Sequence, residues 1–208
     1  MKGLRHSLPL AVAAVALAGV LRAQPGDAPA PTNLRIYQSL AASLGDSLAA
    51  SIPPADSPRV NIRIAPADVA WFLQGDIERA FRERHCAIRT GDSARYGAEF
   101  GAVDMRVRYA NLRRSGLFGP HVVDRIVVLT LRSRLSDRAT GVVVAGGEHT
   151  AAYTDTVAVS DVGDLEQASI PVTKGVLPGE DFFSGLTEPL VVVGAVAVAI
   201  FLLFTVRS

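Results

Sequence analysis

VVDRIVVLTLRSRLSDRATGVVVAGGEHTAAY, residues 122–153, decides the fold. Val123, Val127, Leu129, Leu131 and Leu135 recur in period two, the spacing that puts side chains on one face of a β-strand. SDRATG then supplies turn-forming residues, and VVVAGGEHTAAY continues as a second strand, so the stretch reads as a β-hairpin. Gly146-Gly147 inside that second strand points to a bulge or to a close approach of another backbone. His149 beside Glu148 falls on the opposite face and reads as an exposed side chain.

Upstream of the hairpin, the run from Phe100 places Val103, Met105, Val107 and Tyr109 on one face and Asp104, Arg106 and Arg108 on the other. LRRSGLFGPH, residues 112–121, holds two arginines, two glycines and a proline and reads as the loop between strands. RVNIRI, residues 59–64, alternates Val60, Ile62 and Ile64 with polar residues as a half-buried strand, and a short strand is expected at 87–89. Two segments have helical period instead. LRIYQSLAASLGDSLAAS repeats Tyr37, Ala41, Leu44 and Leu48, and the run from Ala67 gathers Val69, Phe72, Leu73, Ile77, Ala80 and Phe81 opposite Asp76, Glu78, Arg79, Arg82 and Glu83. The helices each carry one apolar stripe and the strands alternate. The expected fold class is therefore α/β (α+β): a two-layer sandwich with both helices on one face of a mixed four- to five-stranded sheet, leaving the other face wetter.

The ends of the chain are of another kind. Residues 190–206 run without a charge between Glu188 and Arg207. At about 1.5 Å per residue this is about 25 Å, close to the thickness of a hydrocarbon core, so 189–206 reads as a transmembrane helix in contact with the lipid bilayer. Ala195 and Ala199, with Gly194 adjoining, give that helix a smooth side for close approach of a second copy. Lys2 and Arg5, followed by an apolar run from Leu8 to Leu21 and small residues, have the form of a signal peptide over 1–23. Val20 stands where a lipidated cysteine would be needed, which leaves attachment to the carboxyl end. With basic residues at both ends, the positive-inside rule puts both termini in the cytoplasm and the bulk of the chain outside the inner membrane, in the periplasm. Between the ends lie a Pro/Ala linker over 24–33, the α/β domain over 34–153, and a polar strap over 154–188 with one helical turn near 164–168. Residues 33–138 hold 16 arginines against 11 acids, whereas 139–188 hold one lysine against eight acids, so the strap is expected along the basic face.

Chemistry is sparse by comparison. A lone cysteine, Cys86, excludes an intramolecular disulfide, and its neighbour His85 points about 100° away on a helix, which suits a buried thiol better than a Cys/His dyad. Asp76 and Glu78, two apart on a helix, are no carboxylate pair. His121 and Asp124 would converge only if HVVD turned before its strand began. Arg113 and Arg114 near Tyr109 and Phe118 form a basic loop, but an exported location argues against nucleic acid. No residue is assigned a catalytic, cofactor-binding or metal-binding role.

The order helix, RVNIRI, helix ending AFRERHCAI, VDMRVRY, then VVLTLRSRLSDRATGVVVAGGE resembles a small α/β domain of bacterial envelope proteins. That group includes the curli secretion-channel lipoprotein, the amino-terminal domain of the Tol–Pal propeller protein, a flagellar outer-membrane accessory protein and the lipoprotein activator of penicillin-binding proteins. Asp137, Thr140 and Gly141 stand where the group's hairpin turn has its Asp and Thr-Gly. The resemblance covers roughly 34–152 and implies assembly and partner binding rather than catalysis. Here TGDSARYGAEFG takes the place of the second helix the group carries. The expected function is a non-enzymatic, membrane-anchored envelope module that docks onto an envelope partner or self-associates. A tethered exported hydrolase and a small-ligand or glycan sensor are the alternatives.

Overall fold

The computed structural model describes residues 20–22, 29–54, 57–91, 93–116 and 119–179. The elements are β1 (Val20–Arg22), α1 (Asn33–Ala49), β2 (Arg59–Ala65), α2 (Ala67–Glu83), β3 (Ala87–Ile88), β4 (Tyr96–Arg114), β5 (His121–Asp137), β6 (Val142–Ala158) and a single helical turn, α3 (Val162–Leu165). Residues 1–19 of the expected signal peptide and the whole expected membrane helix, 189–206, lie outside the described residues. Among the described residues no helix is long and apolar enough to cross a membrane.

Strands β2 to β6 form a mixed five-stranded sheet in the order β6-β5-β4-β2-β3, and the three residues of β1 add to the outer side of β6. β2 runs parallel to both neighbours, with Arg59 opposite Ala87 and the pairs Val60–Tyr96 to Ala65–Gly101 along β4. A parallel pair needs a crossover, and α2 between β2 and β3 supplies it. The short connections on either side of β5 require antiparallel neighbours instead. Arg125 with Asp155, Thr130 with Thr150 and Arg132 with Glu148 all meet across β5 and β6 at one constant register. The hairpin read from the sequence is therefore present, closed by Arg138–Gly141 with Gly141 at φ +71°. Gly146 fits the expected close approach: a Cβ there would lie 3.0 Å from the Ser133 carbonyl oxygen.

By internal contacts the chain divides into two units, one built on residues 38–104 and 128–152, the other on 22–37, 105–127 and the residues from 153 onward. The first has an apolar core. Leu40, Ala41 and Leu48 of α1, Phe72, Leu73, Ile77 and Phe81 of α2, Val60, Phe100, Leu129, Leu131 and Leu135 are all buried. Each of the larger side chains among them is worth roughly 1.5–3 kcal/mol in transfer from water. The two helices meet at Gly45, where a Cβ would lie in ordinary contact, 3.4 Å from Ile77 and 3.5 Å from Ala80. Phe81 meets Phe100 edge to face, ring centres 6.3 Å apart. Along β5 the odd-numbered positions from Val123 to Asp137 are buried and the even ones mostly less so. A single sheet face carries the core.

Three expectations need correction. Asp76, placed on the wet side of α2, is buried and bonded to Arg79 at 2.6 Å, because an i,i+3 arginine can cover a carboxylate at the stripe's margin. Val103, expected inside, is 47% exposed. In β4 the buried positions are even at Tyr96, Ala98 and Phe100 but odd at Val107 and Tyr109, so the strand changes faces once between them. A one-residue slip of this kind inverts every following side chain, and strict alternation cannot foresee it. Finally, residues 112–114 belong to β4 rather than to a loop, after Asn111 adopts a left-handed φ of +54°.

Candidate functional site

The second unit is organised around polar groups. Val123, Arg125 and Val127 are consecutive inward positions of β5, and each is wholly buried. A guanidinium there must be paired, because an unpaired charge away from water is far too costly to retain. Asp155, directly across on β6, accepts from Nε at 2.8 Å and from a terminal nitrogen in a two-pronged ion pair. The other terminal nitrogen donates to the Pro31 carbonyl at 2.8 Å and to Asn33 Oδ1 at 2.9 Å. Tyr153 lies with its ring 5.9 Å from the guanidinium carbon, and its hydroxyl donates to Asp155.

From Asn33 the chain of bonds runs on. Its side-chain amide donates to the Tyr109 hydroxyl at 3.1 Å and to the Thr173 carbonyl at 2.8 Å. Thr32 caps the helix beside it, accepting from the Arg35 amide at 3.3 Å, so α1 begins where Asn33 can face inward. Glu166, whose carboxylate adds to burial in raising the Tyr109 phenol, accepts from the Gly175 amide at 2.8 Å. Burial is the first cause that raises the Tyr109 and Tyr153 phenols above their ordinary range, so both are protonated donors at neutral pH. The expected strap thus carries real structure: Val162, Leu165, Ile170 and Thr173 are buried. The contacts that fasten it are buried hydrogen bonds and apolar side chains, where the sequence reading expected attraction to a basic face.

The residues weighed for catalysis do not come together. His121 opens β5, so HVVD is extended from its first residue and the side chains three apart face opposite ways. Asp124 is held instead by Arg113 at 2.8 Å, Asn111 at 2.9 Å and Thr156 at 2.9 Å. The Arg113 hydrogen bond is the main reason its carboxyl is held below the usual aspartate range. His85, exposed at φ +59°, terminates α2: its amide reaches the Arg82 carbonyl at 2.9 Å and the next amide reaches Phe81 at 3.0 Å. That is a helix-ending motif with the following residue turned inward. Cys86 is accordingly buried, and burial pushes its thiol up, away from the reactive thiolate. His149 is exposed on β6. Among the described residues no group of three His, Cys, Asp or Glu side chains is placed to hold a metal ion. A depression of the first unit is lined by residues 62–65, Gln74, Glu99 and Phe100.

Sequence reasoning passed over Arg125, Asp155 and Asn33. The available signal was the interruption of the period-two run, where an arginine occupies the inward place between Val123 and Val127. Its partner cannot be read off in the same way, because only the strand register brings Asp155 opposite.

No protein-family model matches the chain, and no curated protein matches it. Among solved structures, a minor lipoprotein from Acinetobacter baumannii, known from a 2.35 Å crystal structure, is similar with a TM-score of 0.32 and 10% sequence identity, over 57% of this chain and 82% of that chain.

Proposed function

We propose that the chain is a non-enzymatic module of a bacterial cell envelope, anchored in the inner membrane through residues 189–206 with its α+β domain in the periplasm, and that it acts by docking onto an envelope partner or a second copy. The observation that carries this over a hydrolase is the fate of its polar side chains. Arg125, Asp155, Asn33 and Tyr109 are spent on one another, Glu166 on the Gly175 amide, and Asp124 on Arg113, Asn111 and Thr156. A general base needs a free lone pair within reach of a substrate. Apolar side chains, by contrast, stay open at the start of β6, where Val142 is 57% and Val143 48% exposed. The anchor rests on the uncharged run alone.

Two measurements test the reading. The full chain should need detergent for extraction and a chain ending at Ser184 should be soluble after export, with a reporter fused after Ser208 active only in the cytoplasm. A soluble full chain or a periplasmically active reporter would overturn the anchor. Assay of the purified protein on ester, amide and glycoside substrates should show no turnover; turnover abolished by Asp124→Asn would establish the hydrolase instead.

A further inference from the structure

Residues 162–175 are joined to the rest of their unit in an unusual way. The backbone bonds of the segment close on itself: Glu166 to Val162, Ile170 to Gln167, Thr173 to Ile170 and Lys174 to Pro171. Its attachment comes from side chains of other elements. Tyr37 donates its hydroxyl to the Val172 carbonyl at 3.0 Å and Asn33 its amide to the Thr173 carbonyl at 2.8 Å, so two consecutive carbonyls are read by two side chains about one helical turn apart on α1. Thr173 is fully buried and Ile170 nearly so. Two residues on, Gly175 lies flat against Tyr109, where a Cβ would come within 2.8 Å of the ring and 3.0 Å of the Val107 carbonyl oxygen. Main-chain bonds for affinity, a buried side-chain site and a position where a side chain would be crowded are elements by which proteins recognise peptide segments.

We propose that residues 166–175 are a peptide ligand that the chain carries for itself, a detachable latch, and that the cradle of Asn33, Tyr37 and Tyr109 accepts the same segment from a second copy. Detachment breaks no strand pairing; it breaks the Tyr37 and Asn33 hydrogen bonds and uncovers Ile170 and Thr173, which makes it a local opening of the second unit. A second copy offers an identical segment, so exchange needs no new contact. The proposal deepens the self-association part of the function above, and a failure of the membrane anchor would leave its tests unaffected.

The experiment uses the full chain in detergent with two variants, Gly175→Ala, which crowds the Tyr109 ring, and Tyr37→Phe, which deletes one hydroxyl and keeps the ring. Amide hydrogen exchange should quicken about tenfold across 166–175 in either variant, while amides of 122–127, in β5 of the same unit, keep their wild-type rate. A labelled peptide of sequence 166–175 should then bind the Gly175→Ala chain saturably, and the same peptide carrying Gly175→Ala should bind at least about tenfold more weakly. If the Gly175→Ala chain fails to fold, Tyr37→Phe takes its place in both measurements. Equal quickening in 166–175 and 122–127 would show the segment to be an inseparable part of the unit and overturn the latch. Equal binding of both peptides, or of neither, would overturn the cradle.

Discussion

The two units of this molecule are held together internally by opposite chemistry. In the first, Phe81, Leu131 and Leu135 are pressed between helices and sheet, and the stabilisation is spread over many interchangeable contacts. In the second, a single inward arginine is satisfied by Asp155, Asn33 and the Pro31 carbonyl, and through Asn33 the bonds extend to Tyr109 and Thr173. An apolar core degrades by degrees, because each lost methylene removes its own share. A buried ionic cluster fails as a whole, because removing one member strands the others without water.

The sharpest way to break the comparison is Arg125→Ala, which strands Asp155 and should cost about 3–5 kcal/mol in urea unfolding, whereas Arg125→Met with Asp155→Leu should recover most of that loss. A double variant as unstable as the single one would mean that the cluster acts through its hydrogen bonds to Asn33 and Pro31 rather than through charge. Leu131→Ala should cost about 2–5 kcal/mol by cavity formation, and a second apolar truncation at a distant core site should add to it without coupling. Coupling there would erase the distinction between the units. Ser133 sharpens the contrast from the other side. Its hydroxyl, on the core face of β5, is the one buried side-chain polar atom without a partner among the described residues, so Ser133→Ala should raise stability by about 1 kcal/mol; a loss of similar size would show that the hydroxyl is satisfied in solution.

Smaller effects belong to the solvated groups. Asp124 is held below the ordinary aspartate range by the Arg113 hydrogen bond, and a depressed carboxyl stabilises the fold above the unfolded value and loses that contribution as pH falls through the folded one. Asp124→Asn should therefore flatten the acid limb of a melting-temperature profile below the ordinary aspartate range, with Arg113, half exposed, limiting the size of the change. An unchanged limb would assign acid sensitivity to other carboxylates. His149→Ala, on an exposed strand position, should shift stability by no more than about 0.5 kcal/mol. A shift equal to that of Leu131→Ala would mean that the face assignment of β6 is inverted.

The sequence by itself determined the elements whose cause is local. Period two across Val123–Leu135, period 3.6 from Val69 to Phe81, and the turn at Arg138–Gly141 follow from backbone geometry and apolar spacing, and all three stand in the structure. They also determined the class, since single-striped helices and alternating strands have few ways to cover one another. Only the tertiary structure decided the rest. Whether Val103 faces in or out depends on a slip within β4, and whether Asp76 is wet depends on the depth of α2 against its neighbours. The cluster at Arg125 depends on residues 30 to 94 positions away in sequence. A charge on the inward side of a strand announces that a partner exists, but strand register and the closure of residues 162–175 over Asn33 choose which one, because hydrogen bonds between distant segments leave no period in the chain.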